Sequence, residues 1–397
     1  MKTVGIVAEY NPFHAGHRKQ FDRVKAEFGG ETAIVCAMSG NYVQRGAPAV
    51  MDKTLRAKAA VACGADLVVE LPTTVSLSSA EGFAAGGVGI LSKLCDTLCF
   101  GAETGEAELL METARALLSE DFSPLLRREL DGGKSFPAAR ADALAQMGLS
   151  GEILRRPNDI LAVEYCKAIL ELGASLVPIP LPRQGAGHGQ ALTETGGQFA
   201  SASALRTLWQ NGGADAAAPY VPVEVLPLYR EAFAAGQYTD LAAAQRCQLA
   251  LLRSRCAGTA PFAQVRGISE GLEHRLEAAV RSSTTHAELL DSLTTVRYPR
   301  ARMRRLAMDA ALDYSADAFP ALPPYLHLLG AQKDALPLLK AAALPVSHSL
   351  ARLAEQNAPC RAVVDAQLRA CDFGALCRKK PEPMGDALRQ KIIFLTK

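Results

Sequence analysis

The chain has 397 residues, 49% apolar and 21% charged, enough for two or three globular domains with a large core. No apolar run reaches bilayer-spanning length, and Met1-Lys2 leads straight into a strand with no signal-peptide pattern, so neither membrane insertion nor secretion is expected and the expected location is cytoplasmic. The net charge of +2 hides an asymmetry: residues 1–220 hold 20 Lys+Arg against 24 Asp+Glu, and residues 221–397 hold 23 against 17, so a polyanion is expected on the second half. Ten scattered cysteines form no Cys-x-x-Cys pair and none has zinc-ligand spacing, so reduced, mostly buried thiols and no metal centre are expected.

Val4 to Ala8 is an apolar run of strand length, Asn11-Pro12 breaks it, and a helix-compatible segment begins at Gly16. Strand, turn and helix in that order put a helix N-terminus at a strand's carboxyl end, where unpaired N–H groups and the helix dipole favour phosphate. His14 and His17, three residues apart, can both donate to phosphate oxygens there, where charge develops when the α-phosphorus of a nucleotide is attacked. His-x-x-His alone is common; its place behind Asn11-Pro12-Phe13 with Gly16 between the rings gives it meaning. A second strand, Thr32–Met38, leads into Ser39-Gly40-Asn41-Tyr42-Val43-Gln44-Arg45-Gly46, a loop at its carboxyl end, so Ser39, Asn41, Gln44 and Arg45 are candidate substrate contacts or a plain turn.

Asp52 is the expected N-cap of a helix to Cys63, Ala65–Pro72 a third strand, Ser78–Leu94 a helix rich in small residues, and Thr97–Glu103 a fourth strand whose Gly101 allows close approach to a ligand. Residues 105–151 read as a helical insertion, and Pro157 opens an amphipathic helix with Asn158 in its first turn, as ligand contact or as cap. A proline-interrupted fifth strand, Leu176–Leu181, belongs near an edge and delivers Arg183 and Gln184 into a glycine-rich loop, where a guanidinium fork suits phosphate. Ser201, Ser203 and Arg206 open another helix and are candidates for the β- and γ-phosphates, with simple capping as the alternative. Past residue 220 the strand signals stop and helices follow to the end. There Arg297, Arg300, Arg302, Arg304 and Arg305 crowd nine residues, with no acid between Thr294 and Ala307, a pattern that favours RNA. The expected fold is α/β: a Rossmann-like parallel sheet over residues 1–220 with a helical insertion, followed by an all-α, basic domain over 221–397.

Asn11-Pro12-Phe13-His14-Ala15-Gly16-His17 resembles the signature of the His-x-Gly-His nucleotidyltransferase superfamily. The ordered set of that motif, Ser39–Gly46, Ala65–Pro72, Pro157–Leu161, Arg183–Gly187, Ser201–Arg206, Glu270–Leu276 and Arg297-Tyr298 is similar to one family, the bacterial tRNA(Met) cytidine acetate ligases, across nearly the whole chain. The resemblance implies acetate activation by ATP to acetyl-adenylate, then acetyl transfer to N4 of the wobble cytidine of elongator tRNA(Met). ATP is implied as co-substrate, Mg2+ as companion of the pyrophosphate, and no coenzyme A; no membrane or protein partner is implied. By resemblance, His14 and His17 are catalytic, and the ATP site is Val7, Ala8, Glu9, Tyr10, Asn11, Pro12, Phe13, His14, Ala15, Gly16, His17, Arg18, Lys19 and Gln20 with Gly101, Asn158, Arg183 and Gln184. The rival readings are a nucleotidyltransferase for a small phosphorylated metabolite, which leaves the basic half without a task, and a non-catalytic RNA-binding protein, which needs no paired histidines.

Overall fold

The opening apolar run becomes β1 (Thr3–Ala8) in the computed structural model, which describes residues 1–182 and 200–395. It is followed by α1 (Ala15–Phe28), β2 (Ala33–Ser39), the hairpin strands β3 (Tyr42–Val43) and β4 (Ala47–Pro48), α2 (Lys53–Ala62), β5 (Leu67–Leu71), α3 (Thr73–Ser76), α4 (Ala80–Leu91) and β6 (Thr97–Ala102). The insertion is helical: α5 (Ala107–Leu118), α6 (Phe122–Asp131) and α7 (Phe136–Gln146) precede α8 (Pro157–Glu171) and β7 (Val177–Pro182). Then come α9 (Ala202–Ala217), α10 (Leu226–Ala234), α11 (Leu241–Arg255), α12 (Leu272–Ser282), α13 (His286–Leu293) and α14 (Arg300–Ala311). The chain closes with β8 (Leu326–Gln332), β9 (Val346–Ser347), α15 (Leu350–Ala354), α16 (Ala358–Leu376), α17 (Asp386–Arg389) and β10 (Ile393–Leu395). Among the described residues no helix is long and apolar enough to cross a membrane.

The main sheet runs β10-β8-β5-β2-β1-β6-β7, with β9 beside β8. From β5 to β7 every pairing is parallel, and the chain reverses its direction of travel across the sheet between β1 and β6. That reversal opens a crevice at the carboxyl ends of β1 and β6, the usual ligand position in such sheets. Helices cover both faces: Val35, Ala37, Leu67 and Val69 pack toward α4 and α8, while Val4, Ile6, Ile34 and Cys36 pack toward α1, α2 and α9. The small residues of α4 let it lie close to the sheet: a Cβ on Gly87 would stand 2.6 Å from Cγ2 of Val7, and one on Gly86 would stand 2.3 Å from Cγ1 of Val75.

The tail is not all-α, which corrects the expectation that strands end at residue 220. Leu326–Gln332 pairs antiparallel with β5, β9 and β10 flank it in parallel, and all seven β8 residues are buried. A short run buried on both faces lacks the period-2 alternation of a half-exposed strand, and its periodicity does not separate it from a buried helix segment. The tail is also pinned to the first half through polar groups. Lys53 of α2 places its Nζ 2.8 Å from both Glu70 oxygens of β5, His327 of β8 bonds the same carboxylate, and Gln367 of α16 adds a bond of 2.9 Å. Burial alone would push the Glu70 carboxyl up, but Lys53 and then His327 hold it below the usual carboxylate range. The boundary near 220 therefore separates helices from sheet only as far as α14.

Candidate active site

Tyr10 takes a left-handed φ of +46°, the Asn11-Pro12 bond is cis, and the chain turns from β1 into α1 on a floor of aromatic rings. Buried Tyr10 meets Phe13 and His17 edge-on at 5.0 and 4.8 Å between ring centres, and the rings of His14 and His17 lie 3.9 Å apart. Three contacts fix this turn: Tyr229 donates to the Phe13 carbonyl (3.1 Å), Arg206 to the Asn11 carbonyl (2.8 Å), and the amide of Val50 to Oδ1 of Asn11 (2.7 Å).

His14 is the N-cap of α1. Its Nδ1 accepts from the amide of Gly16 (3.0 Å), and Nδ1 of His17 accepts from the amide of His14 (3.2 Å). With both Nδ1 atoms accepting, each neutral ring carries its proton on Nε2 as a hydrogen-bond donor. Residue 16 must be glycine, because a Cβ there would sit 2.8 Å from Cε1 of His14.

A pocket of about 350 Å³ occupies the crevice between the ends of β1, β6 and β7 and the starts of α1 and α9. It brings together Val7, Ala8, Glu9, Tyr10, Asn11, His14, Gly16, His17, Lys19 and Gln20 with Gly101, Asn158, Ser201 and Arg206. Four residues of the expected segment do not line it. Phe13 is fully buried, Pro12 and Ala15 lie outside the lining, and Arg18 turns away to Asp22 and Glu224 at 3.1 Å each. Arg183 and Gln184, with the glycine-rich loop that carries them, lie outside the described residues.

Asn158 is held in place by a reciprocal clasp between α8 and the end of β6. Its Nδ2 donates to Oε1 of Glu103 (2.6 Å), while Oε2 of Glu103 accepts from the amide of Asp159 (2.9 Å). The fully buried Asp159 accepts in return from the amides of Glu103 and Thr104 and from the Thr104 hydroxyl, each at 2.8 Å. Sequence reading missed Glu103 and Asp159 in this role; the only local signal is an acid in a first helical turn, which capping explains equally well. Arg23 was missed too. It lines the pocket and ties α1 to β7 by donating to the Pro182 carbonyl at 2.9 Å.

A second, larger cleft of about 920 Å³ adjoins the first and shares Glu9, Asn11, Asn158, Tyr165 and Arg206 with it. It runs between the β3–β4 hairpin and helices α13 and α14, and its lining brings together Gln44, Arg45, Ser203, His286, Arg300, Arg304 and Arg305. Gly46, at φ +75°, lets the hairpin touch α14, since a Cβ there would meet the Arg305 amide at 2.7 Å. Arg305 fastens the same contact by donating to the Gln44 carbonyl (3.2 Å). Ser39 and Asn41 line neither cleft: Ser39 is fully buried at the end of β2, and Oδ1 of Asn41 accepts from the amide of Lys53 (2.9 Å).

The arginine cluster splits in two. Arg300, Arg304 and Arg305 face the cleft. Arg297 pairs with Glu270 (2.7 Å), and Arg302 lies over the Tyr298 ring and donates to Ser269, both outside the lining. Arg300 is also paired with Asp291, whereas Arg45 and Arg304 have no ion pair among the described residues. Burial first, and then Arg304 and Arg300, push His286 below the usual imidazole range. The far end of the cleft thus holds uncompensated positive charge, suited to phosphate.

Residues 1–386 match a family model described as HIGH Nucleotidyl Transferase. The chain is 31% identical to a tRNA(Met) cytidine acetate ligase of Acetivibrio thermocellus over the whole of both chains, and 33% identical to one of Caldanaerobacter subterraneus over 86% of each. Its fold matches the crystal structure of Thermotoga maritima TmcAL bound with alpha-thio ATP with a TM-score of 0.88 at 28% identity, covering 100% of both chains.

Proposed function

The chain belongs to the HIGH nucleotidyltransferases and, within them, to the tRNA(Met) cytidine acetate ligases, and from that membership we propose that it forms acetyl-adenylate from ATP and acetate and passes the acetyl group to N4 of the wobble cytidine of elongator tRNA(Met). The product is N4-acetylcytidine. ATP lies across the crevice with its sugar and base toward Gly101 and Asn158. Its phosphates lie at the positive end of the α1 dipole and meet the Nε2–H groups of His14 and His17, which stabilise charge as an acetate oxygen attacks the α-phosphorus. Pyrophosphate leaves toward Ser201, Ser203 and Arg206. No protein nucleophile is needed; the site positions the reactants.

The observation that carries this reading is the lining the two clefts share, which would let an adenylate formed in the smaller pocket meet an acceptor in the larger cleft. The cytidine, splayed from its stack, enters there while Arg45, Arg300 and Arg304 take the RNA backbone. Arg305 serves first to dock α14 on the hairpin, and Arg297 and Arg302 lie on the flank. Among the described residues no group of three or more His, Cys, Asp or Glu side chains is arranged to hold a metal. Mg2+ is taken as a companion of the triphosphate, part of the substrate, and no step is routed through it. Coenzyme A has no place in the scheme. A nucleotidyltransferase for a small metabolite would leave the cleft of about 920 Å³ and its arginines without a ligand.

Isotope exchange between pyrophosphate and ATP tests the first half. Exchange should require acetate, ignore coenzyme A, and fall at least about 100-fold in His14→Ala or His17→Ala. Exchange without acetate, or none with it, would sink the proposal.

A further inference from the structure

We propose that Glu9 is the base of the transfer step, its carboxylate taking a proton from the exocyclic amine of the acceptor cytidine as that amine attacks the acyl-adenylate. The proposal rests on the ligase reading above and adds the residue that reading leaves unassigned. Glu9 follows directly on β1, at the sheet's carboxyl edge, and among the described residues it is the one carboxylate lining either cleft. It stands on the wall the two clefts share, where the adenylate and the acceptor base must meet. Its backbone carbonyl accepts from Nη1 of Arg56 (2.6 Å), and its Oε1 accepts from the amide of Gln44 (2.8 Å). Among the described residues no cation forms an ion pair with it and Oε2 has no hydrogen-bond partner, so one carboxylate oxygen remains to accept from a ligand.

The chemistry calls for such a group. The lone pair of a cytosine amine is delocalised into the ring, so the amine attacks only as its proton departs. The two histidines cannot serve, because their Nδ1 atoms are held by backbone amides and their Nε2 atoms already carry protons. A carboxylate oxygen is the natural acceptor for a cytosine N4–H. In the step, a bond forms between N4 and the acetyl carbonyl carbon, the bond from that carbon to the phosphate oxygen breaks, AMP leaves with the electron pair, and the N4 proton passes to Glu9. Arg206 of α9, Arg45 of the hairpin, Arg56 of α2 and the Gln44 amide surround Glu9, with Tyr165 of α8 on the same wall. Burial pushes the Glu9 carboxyl above its ordinary value in spite of the Gln44 bond and these three arginines, toward the range where a base works best near neutrality.

The test uses the full chain with elongator tRNA(Met), measuring acetate-dependent exchange for the first step and single-turnover acetyl transfer for the second. Glu9→Gln keeps an oxygen for the Gln44 amide and removes the base. Its transfer should fall about 100- to 10,000-fold, at least tenfold more than its exchange. Transfer by the unmodified protein should rise with pH through the raised Glu9 pKa, Glu9→Asp should keep that rise at a lower rate, and Glu9→Gln should lose it. Transfer by Glu9→Gln at the unmodified rate, an unaltered pH rise, or equal losses in both steps would overturn the assignment to Glu9 alone. Absence of acetate-dependent exchange in the unmodified protein would instead overturn the ligase reading beneath it.

Discussion

Replacing Arg304 by Ala should weaken tRNA binding, while replacing Arg297 by Ala should leave it within about twofold. Arg304 faces the large cleft with no ion pair among the described residues, flanked by Arg300 and Arg45, whereas Arg297 is spent on Glu270 at 2.7 Å on an exposed surface. A cation on one RNA phosphate releases roughly 0.7–0.9 of a counterion, which at about 0.1 M salt amounts to about 1 kcal/mol, or roughly sixfold in affinity. For Arg297 the same gain is offset by breaking an existing pair and screened by solvent. Filter binding of elongator tRNA(Met) over a salt series reads both quantities. Arg304→Ala should lower affinity about sixfold and make the slope of log K against log salt shallower by roughly 0.7–0.9. An unchanged slope for Arg304→Ala, or a larger effect for Arg297→Ala, would refute the placement of RNA in this cleft.

Three further outcomes follow from the fold. Lys53→Met leaves the Glu70 carboxylate buried without its main counter-charge and should cost about 3–5 kcal/mol by denaturant titration. Gly87→Ala drives a methyl into Val7, which lines both clefts; it should cost about 1–3 kcal/mol and raise the KM for ATP, while Gly30→Ala, with nothing within 4 Å, should change stability by less than about 0.5 kcal/mol. Arg378 and the Thr54 bonds outweigh the burial that would raise Asp52, so Asp52, like Glu70, is held below its ordinary value. Both groups therefore add stability that is full above their ordinary values of 3.8 and 4.5 and is lost as pH falls through the depressed folded values, which thermal melts across that acid range will show.

What the sequence revealed depended on how local the signal was. The strand, turn and helix around His14 and His17, the cap at Asp52, the proline at the start of α8 and the edge strand with its prolines are all set by neighbours in the chain. The family resemblance then supplied the activity that no single spacing gives. β8 was invisible because its seven buried residues carry no alternation and it joins the sheet by pairing with β5, more than 250 positions away in the chain. The loop Ser39–Gly46 was rightly placed at a strand end, yet its first half faces inward, and of its four candidate contacts Gln44 and Arg45 line the cleft while Ser39 and Asn41 do not, a division that hairpin geometry decides. The five arginines looked equivalent; the packing of α14 separates them, turning Arg300, Arg304 and Arg305 to the cleft while Arg297 is held by Glu270 and Arg302 by Tyr298 and Ser269.

Incubating the protein with elongator tRNA(Met), ATP and labelled acetate, then digesting the RNA to nucleosides, tests the central claim most directly. The account predicts label in N4-acetylcytidine, dependent on ATP, independent of coenzyme A, and absent when His14 or His17 is replaced by Ala. Label that requires coenzyme A, or that persists without both histidines, would contradict it.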